Sequence, residues 1–96
     1  MAEIKIVWSE EAIKDIEEII SYISKDSELY AVNFASKIIG SVDSLRVYPE
    51  IGRIVPEFNN SEIREIIYRN YRIVYRISGK TIEIVTIFHG SKLING

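Results

Sequence analysis

The hydrophobic period of this chain changes once, and that change constrains the fold more than any other feature. Between Ser9 and Tyr48 apolar residues recur every three or four positions; from Glu62 onward they recur every second position. The first spacing lines one face of a helix and the second lines one face of a strand. A helical half and a sheet half, each with one apolar face, must therefore cover each other. A chain of 96 residues supports one core and one domain. We expect a single α+β domain over residues 1–96, with the helices packed on one face of the sheet.

The elements follow from local signals. Glu3 to Trp8 alternates, with Ile4, Ile6 and Trp8 on one side, and predicts a half-buried N-terminal strand. Ser9 before Glu10 and Glu11 is a helix start, because a serine hydroxyl accepts an orphan N–H and acids suit the positive end of the helix dipole. Ala12, Ile13, Ile16, Ile19, Ile20 and Ile23 form the apolar stripe of this first helix. Asp26 or Ser27 caps a second helix with the stripe Ala31, Phe34, Ala35, Ile38, Ile39, Val42 and Leu45, which Pro49 ends near Tyr48. The short connection predicts an antiparallel helical hairpin. Gly40, inside the second helix, is expected at a close-packing point. Glu50 to Ser61 is a loop with a short extended piece at Arg53–Val55. Three antiparallel strands then form a meander: Ile63–Tyr68, a turn at Arg69-Asn70 in which asparagine takes the left-handed region, Tyr71–Ile77, a turn at Ser78–Lys80, and Thr81–Phe88.

Composition removes several function classes. With 47% hydrophobic residues the chain is not intrinsically disordered. It has no cysteine, which excludes a disulfide scaffold, a thiolate site and a cysteine nucleophile, and fits a reducing, cytoplasmic compartment. One histidine, His89, does not supply a zinc site, so we expect no metal and no cofactor. No apolar run approaches the roughly 18 residues of a transmembrane helix, and the N-terminus lacks the apolar core of a signal peptide. No membrane role is expected.

Charge is distributed unevenly. The net formal charge is −2, but residues 1–45 carry four lysines against nine acids, and residues 46–96 carry six arginines and two lysines against five acids. All the arginines lie in the second half. On the middle strand of the meander Tyr71, Ile73, Tyr75 and Ile77 share one side, toward the helices. Arg72, Val74 and Arg76 share the other, which we expect to remain free, with Arg64 beside them. Guanidinium groups on a free face suit a phosphate backbone or an acidic protein patch. The same residues can instead form cross-strand ion pairs, Arg76 with Glu83 and Arg72 with Glu65. His89 ends the last strand, as an ordinary surface residue or as a general base. Tyr68, Tyr71 and Tyr75 read as core or core-edge residues.

The runs Ile63-Arg64-Glu65-Ile66, Tyr71-Arg72-Ile73-Val74-Tyr75-Arg76-Ile77 and Ile84-Val85-Thr86-Ile87-Phe88-His89-Gly90-Ser91-Lys92 resemble the RelE/ParE toxin superfamily of type II toxin–antitoxin systems. Ser9-Glu10-Glu11-Ala12, Asp15-Ile16 and Tyr22-Ile23 resemble its first helix; Leu45, Pro49, Gly52-Arg53 and Pro56-Glu57 resemble the loop after its second. The resemblance spans nearly the whole chain. It implies a growth-arresting, plasmid-stabilisation-like toxin neutralised by a cognate antitoxin, either as a homodimer or in a hetero-oligomer with that antitoxin.

The superfamily contains two mechanisms. RelE-like members cleave mRNA in the ribosome, and ParE-like members inhibit DNA gyrase without chemistry of their own. Arg72 matches a catalytic arginine of the RelE-like nucleases and Lys92 falls near a second basic position. His89 would then carry protons. The lysines that such nucleases place on the preceding strand are not matched, since Ile63, Arg64 and Glu65 occupy that stretch. Their C-terminal tyrosine is absent as well. The Gly52-Arg53, Pro56-Glu57 and Ile63-Arg64-Glu65 pieces are ParE-like. The reading is a gyrase inhibitor that contacts its target through Arg64, Arg69 and Arg76. The alternatives are a ribosome-dependent mRNA interferase using Arg72, Lys92 and His89, and a degenerate member that acts only by binding its antitoxin.

Overall fold

In a computed structural model, which describes residues 3–90, the chain runs as β1 (Lys5–Trp8), α1 (Glu10–Ser24), α2 (Glu28–Asp43), a single 3-10 turn (Ser44–Arg46), β2 (Arg53–Ile54), β3 (Ile63–Tyr68), β4 (Tyr71–Ser78) and β5 (Thr81–His89). The helix starts are those expected. Ser9 Oγ accepts from Ala12 N at 3.0 Å and Ser27 Oγ accepts from Tyr30 N at 3.0 Å, caps that contribute about 1 kcal/mol each. Ser9 also donates its hydroxyl proton to Val85 O at 2.8 Å, tying the start of α1 to β5.

The meander is the centre of a larger sheet of order β1-β5-β4-β3-β2, in which β1 runs parallel to β5 and every other pair is antiparallel. Both helices lie on one face. Ile73, Tyr75, Ile82, Ile84 and Ile87 from the sheet pack against Ala12, Ile16, Phe34, Ile38, Val42 and Leu45. Tyr75 is fully buried, donates to Pro49 O at 2.8 Å and accepts from Gly52 N at 3.0 Å, so it pins the loop after α2. A Cβ on Gly52 would stand 2.7 Å from both Glu65 O and the Tyr75 hydroxyl.

β5 does not alternate evenly. Val74 pairs with Thr86 but Tyr75 pairs with Ile84, leaving Val85 as an extra residue. The bulge returns Ile87 to the helix side, opposite Ile73, and turns Phe88 away from it, opposite Arg72. Beyond Ile84, where the pairing with β1 ends, Asp15 of α1 takes over the open edge. Its Oδ2 accepts from Ile87 N at 3.0 Å and from the Thr86 hydroxyl at 2.6 Å.

The structure corrects four local expectations. The sheet face opposite the helices is not free: Val55 and Val74 are buried outside the main core cluster, and the loop after β2 brings Glu57 onto Arg72. Gly40 is no packing point, for it is exposed and a Cβ there would meet nothing within 4 Å. In the β3–β4 turn the left-handed residue is Arg69, with φ +52°, not Asn70. Ile13 and Ile39, assigned to the buried stripes, are 44% and 56% exposed.

Candidate functional site

Arg72 does not project from an open face; it is 7% exposed. Its Nε donates to Glu65 Oε1, and its Nη1 and Nη2 donate to the two oxygens of Glu57, both at 2.9 Å. This fork-to-carboxylate geometry is the strong bidentate pairing that arginine favours. The Phe88 ring lies 5.2 Å from its guanidinium carbon. The other Glu65 oxygen accepts from Arg53 Nε at 2.6 Å, so this carboxylate, 1% exposed, has both oxygens engaged. Glu57 and then Glu65 push the Arg72 pKa up, against the effect of burial, and the group stays protonated. Two arginines and two carboxylates thus close into a neutral cluster.

The remaining candidates do not assemble around it. Register sets Arg64 opposite Tyr75, on the helix side of the sheet, not beside Arg72 as expected. There it donates to Ser61 O and Gly52 O, each at 3.0 Å. Arg76 stands opposite Glu83 and pairs with it at 3.2 Å, the ion pair anticipated as the structural alternative. His89 is exposed beside Tyr71, ring centroids 5.5 Å apart and edge to face. Because Tyr71 belongs to the helix-side cluster, His89 and Arg72 project to opposite faces. Lys92 lies outside the described residues. Arg69 sits exposed at the β3–β4 turn, its guanidinium carbon 5.6 Å from the Tyr68 ring centre and 6.0 Å from that of Tyr30.

Glu57 was not identified as a site residue from the sequence. Its partner is 15 positions away with no periodicity linking them; the local signals were Pro56, which turns the loop, and the resemblance of the Pro56-Glu57 piece to the family's loop, which assigned Glu57 no role. Among the described residues no cluster of His, Cys, Asp or Glu is placed to hold a metal ion, and no helix is long and apolar enough to cross a membrane.

A second feature is a groove of about 570 Å³ between β1, α1 and α2, lined by Ile6, Trp8, Ile13, Ile20, Ile39 and Val42. The two isoleucines that escape the core open into it. At one end Arg46 pairs with Asp43 at 2.8 Å and donates to Ile4 O at 3.0 Å. The trough lies beside β1, an edge strand of the sheet.

The sequence pattern of the family described as "ParE toxin of type II toxin-antitoxin system, parDE" matches residues 6–94. "Toxin RelE2" of Caulobacter vibrioides is 32% identical over 90 residues, covering 93% of this chain and 98% of that one. "Putative toxin Y4kP" of Sinorhizobium fredii is 34% identical over 91 residues, covering 93% and 91%. Among solved structures, a chain of the chromosomal ParDE TA system from P. aeruginosa superposes with a TM-score of 0.73 at 21% identity, covering 90% of this chain and 95% of that one. A chain of the toxin–antitoxin complex RelBE2 from Mycobacterium tuberculosis superposes with a TM-score of 0.60 at 16% identity, covering 92% and 99%. These two share the fold.

Proposed function

The chain belongs to the RelE/ParE superfamily, as a type II toxin matching the ParE toxin family, and on that premise we propose that it arrests growth by binding DNA gyrase rather than by cutting RNA. The observation that carries this reading is the occupancy of Arg72. A nuclease that attacks a phosphodiester through the neighbouring 2′-hydroxyl needs a cation facing the phosphate and a proton carrier on the same side of it. Here the guanidinium is spent on Glu57 and Glu65 beneath a folded loop, and His89 lies across the sheet from it. What this surface offers a partner is shape and aromatic contact.

The antitoxin, in this reading, is a protein that lays an apolar segment into the groove of Ile6, Trp8, Ile13 and Ile39. Solved relatives of the same fold come from a ParDE system and a RelBE2 toxin–antitoxin complex, which supports a partner of this kind.

Expression in bacteria lacking the antitoxin tests the target. The expected result is growth arrest with an induced SOS response and intact transcripts, together with inhibition of supercoiling by purified gyrase. Transcripts cut within codons, and left intact by a folded Arg72→Lys variant, would instead establish the mRNA interferase. That alternative keeps one favourable observation: Arg72 and His89 occupy the same end of neighbouring strands, so displacement of Glu57 would expose a cation there.

A further inference from the structure

We propose that the trench between α1 and the far end of β5 binds the side chain of an arginine presented by a segment of a partner protein, its guanidinium between Tyr22 and Tyr71 beside Glu18 and its aliphatic stem along Ile19 and Ile87. The inference names a site apart from both the Arg72 cluster and the isoleucine groove, and it does not depend on which target the toxin has.

The trench exists because β1 is short. Its pairing with β5 ends at Ile84, so past that residue α1 stands beside β5 with no strand between them. Asp15, Glu18 and Tyr22 follow one another at helical spacing along one flank of α1. Ile87 and His89 of β5 and Tyr71 of β4 form the opposite wall, and all six line a single cavity of about 310 Å³. Tyr71 is a fixed part of that wall, held edge to face between Phe34 at 5.1 Å and His89 at 5.5 Å. Tyr22 stands near it: burial, and then the neighbouring Tyr22 hydroxyl, push the Tyr71 pKa up. A ring already held in place costs little to order when a ligand arrives.

Charge and shape decide what fits. α1 carries five carboxylates against one lysine, and neither helix carries an arginine. Negative charge is crowded on this flank: a hydrogen bond with Asp15, and then the like charges of Asp15 and Glu18, push the Glu11 carboxyl up. Such a flank repels a phosphate and draws in a cation. Among the described residues no group of three or more His, Asp or Glu is placed to hold a metal ion, so the cation is an organic one. Two tyrosine rings beside a carboxylate suit a guanidinium, which is planar, stacks on aromatic faces and donates to carboxylate oxygens. Ile19, Ile87 and Phe88 supply an apolar wall for the stem that carries it. Small-molecule sites occupy about 300–1,000 Å³; this cavity is at the lower end and takes one side chain rather than a larger ligand.

The test is an NMR titration of the purified full-length chain, following the ring protons of Tyr22 and Tyr71. The probes are a short glycine–serine peptide with one central arginine, the same peptide with neutral citrulline in its place, and guanidinium chloride alone. The expected result is that the arginine peptide shifts both rings saturably and the citrulline peptide does not, while guanidinium, which has no stem, binds about tenfold more weakly. Tyr22→Ala and Glu18→Gln should each weaken the arginine peptide by about fivefold. Glu10→Gln, on α1 but outside the trench, should match wild type. Tyr22 is 70% exposed, so its variant should unfold at the wild-type midpoint; if that midpoint falls, the isosteric Glu18→Gln carries the comparison. No saturable shift with the arginine peptide, or equal shifts with the citrulline peptide, overturns the proposal. Guanidinium binding as tightly as the peptide overturns the protein segment as occupant, and saturable shifts of the same rings by a short RNA do so as well. Affinity unchanged in both variants overturns the site. Every outcome is read on the purified chain, so it stands whether or not the gyrase reading does.

Discussion

Glu65 and Arg72 are joined on the sheet face that carries no helix, although the strand register sets each of them opposite another residue: Glu65 faces Val74, and Arg72 faces Ile67 on β3. The pair is diagonal, buried, and closed by Arg53 on one side and Glu57 on the other. A buried cluster of this kind stabilises weakly as a whole but fails badly when one member is removed, because the remaining charge has no water to turn to. Arg72→Met should therefore destabilise the protein by about 3–5 kcal/mol, read as a lower urea midpoint. The double variant Arg72→Met, Glu65→Leu should recover a large part of that loss. An Arg72→Met midpoint equal to wild type would mean that the cluster contributes nothing.

Gly52 is bounded by backbone and by a ring that cannot move. A Cβ there would lie 2.7 Å from Glu65 O and 2.8 Å from the Tyr75 ring, so Gly52→Ala must push the loop off β3 and disturb the hydrogen bond from Gly52 N to the tyrosine. The expected cost is about 1–3 kcal/mol, seen in thermal unfolding, with faster hydrogen exchange at Gly52 and Val55.

Gly40 is the opposite case. The helix bears its conformational freedom with no contact in return, since a Cβ would meet open space. Gly40→Ala should stabilise the free protein by about 1 kcal/mol, raising the unfolding midpoint by about 4–8 °C for a domain of this size. A lower midpoint would show that the open space is filled in solution.

Alkaline pH should act through tyrosine. Burial pushes the Tyr75 hydroxyl above its ordinary value of 10.0, and burial does the same to Tyr71. The folded state therefore holds these protons more tightly than the unfolded chain, and the stability they bring is complete below pH 10. It is lost as pH rises through the folded-state values. Urea midpoints should be flat from pH 8 to about 9.5 and fall above it. Tyr75→Phe should start lower, having lost the bonds to Pro49 and Gly52, and fall less steeply.

Much of the fold was legible because periodicity and caps are local. Ser9 and Ser27 start helices through hydroxyls that reach three residues on, and Tyr71, Ile73, Tyr75 and Ile77 alternate into the core as their spacing requires. These are properties of neighbouring residues and any chain carrying them would show them. The five-stranded sheet, the bulge at Val85 and the loop that covers Arg72 are not of this kind. Each depends on which distant segments come to lie together: β1 beside β5, Asp15 against the edge at Ile87, Glu57 over the guanidinium. The side of the sheet to which Arg72 points was set by alternation alone. The cross-strand pairing of Arg72 with Glu65 was legible as one of two alternatives, because β3 and β4 are neighbours in the meander. The second carboxylate, Glu57, came only when the loop folded down, because spacing along the chain does not encode the distance between a loop and a strand.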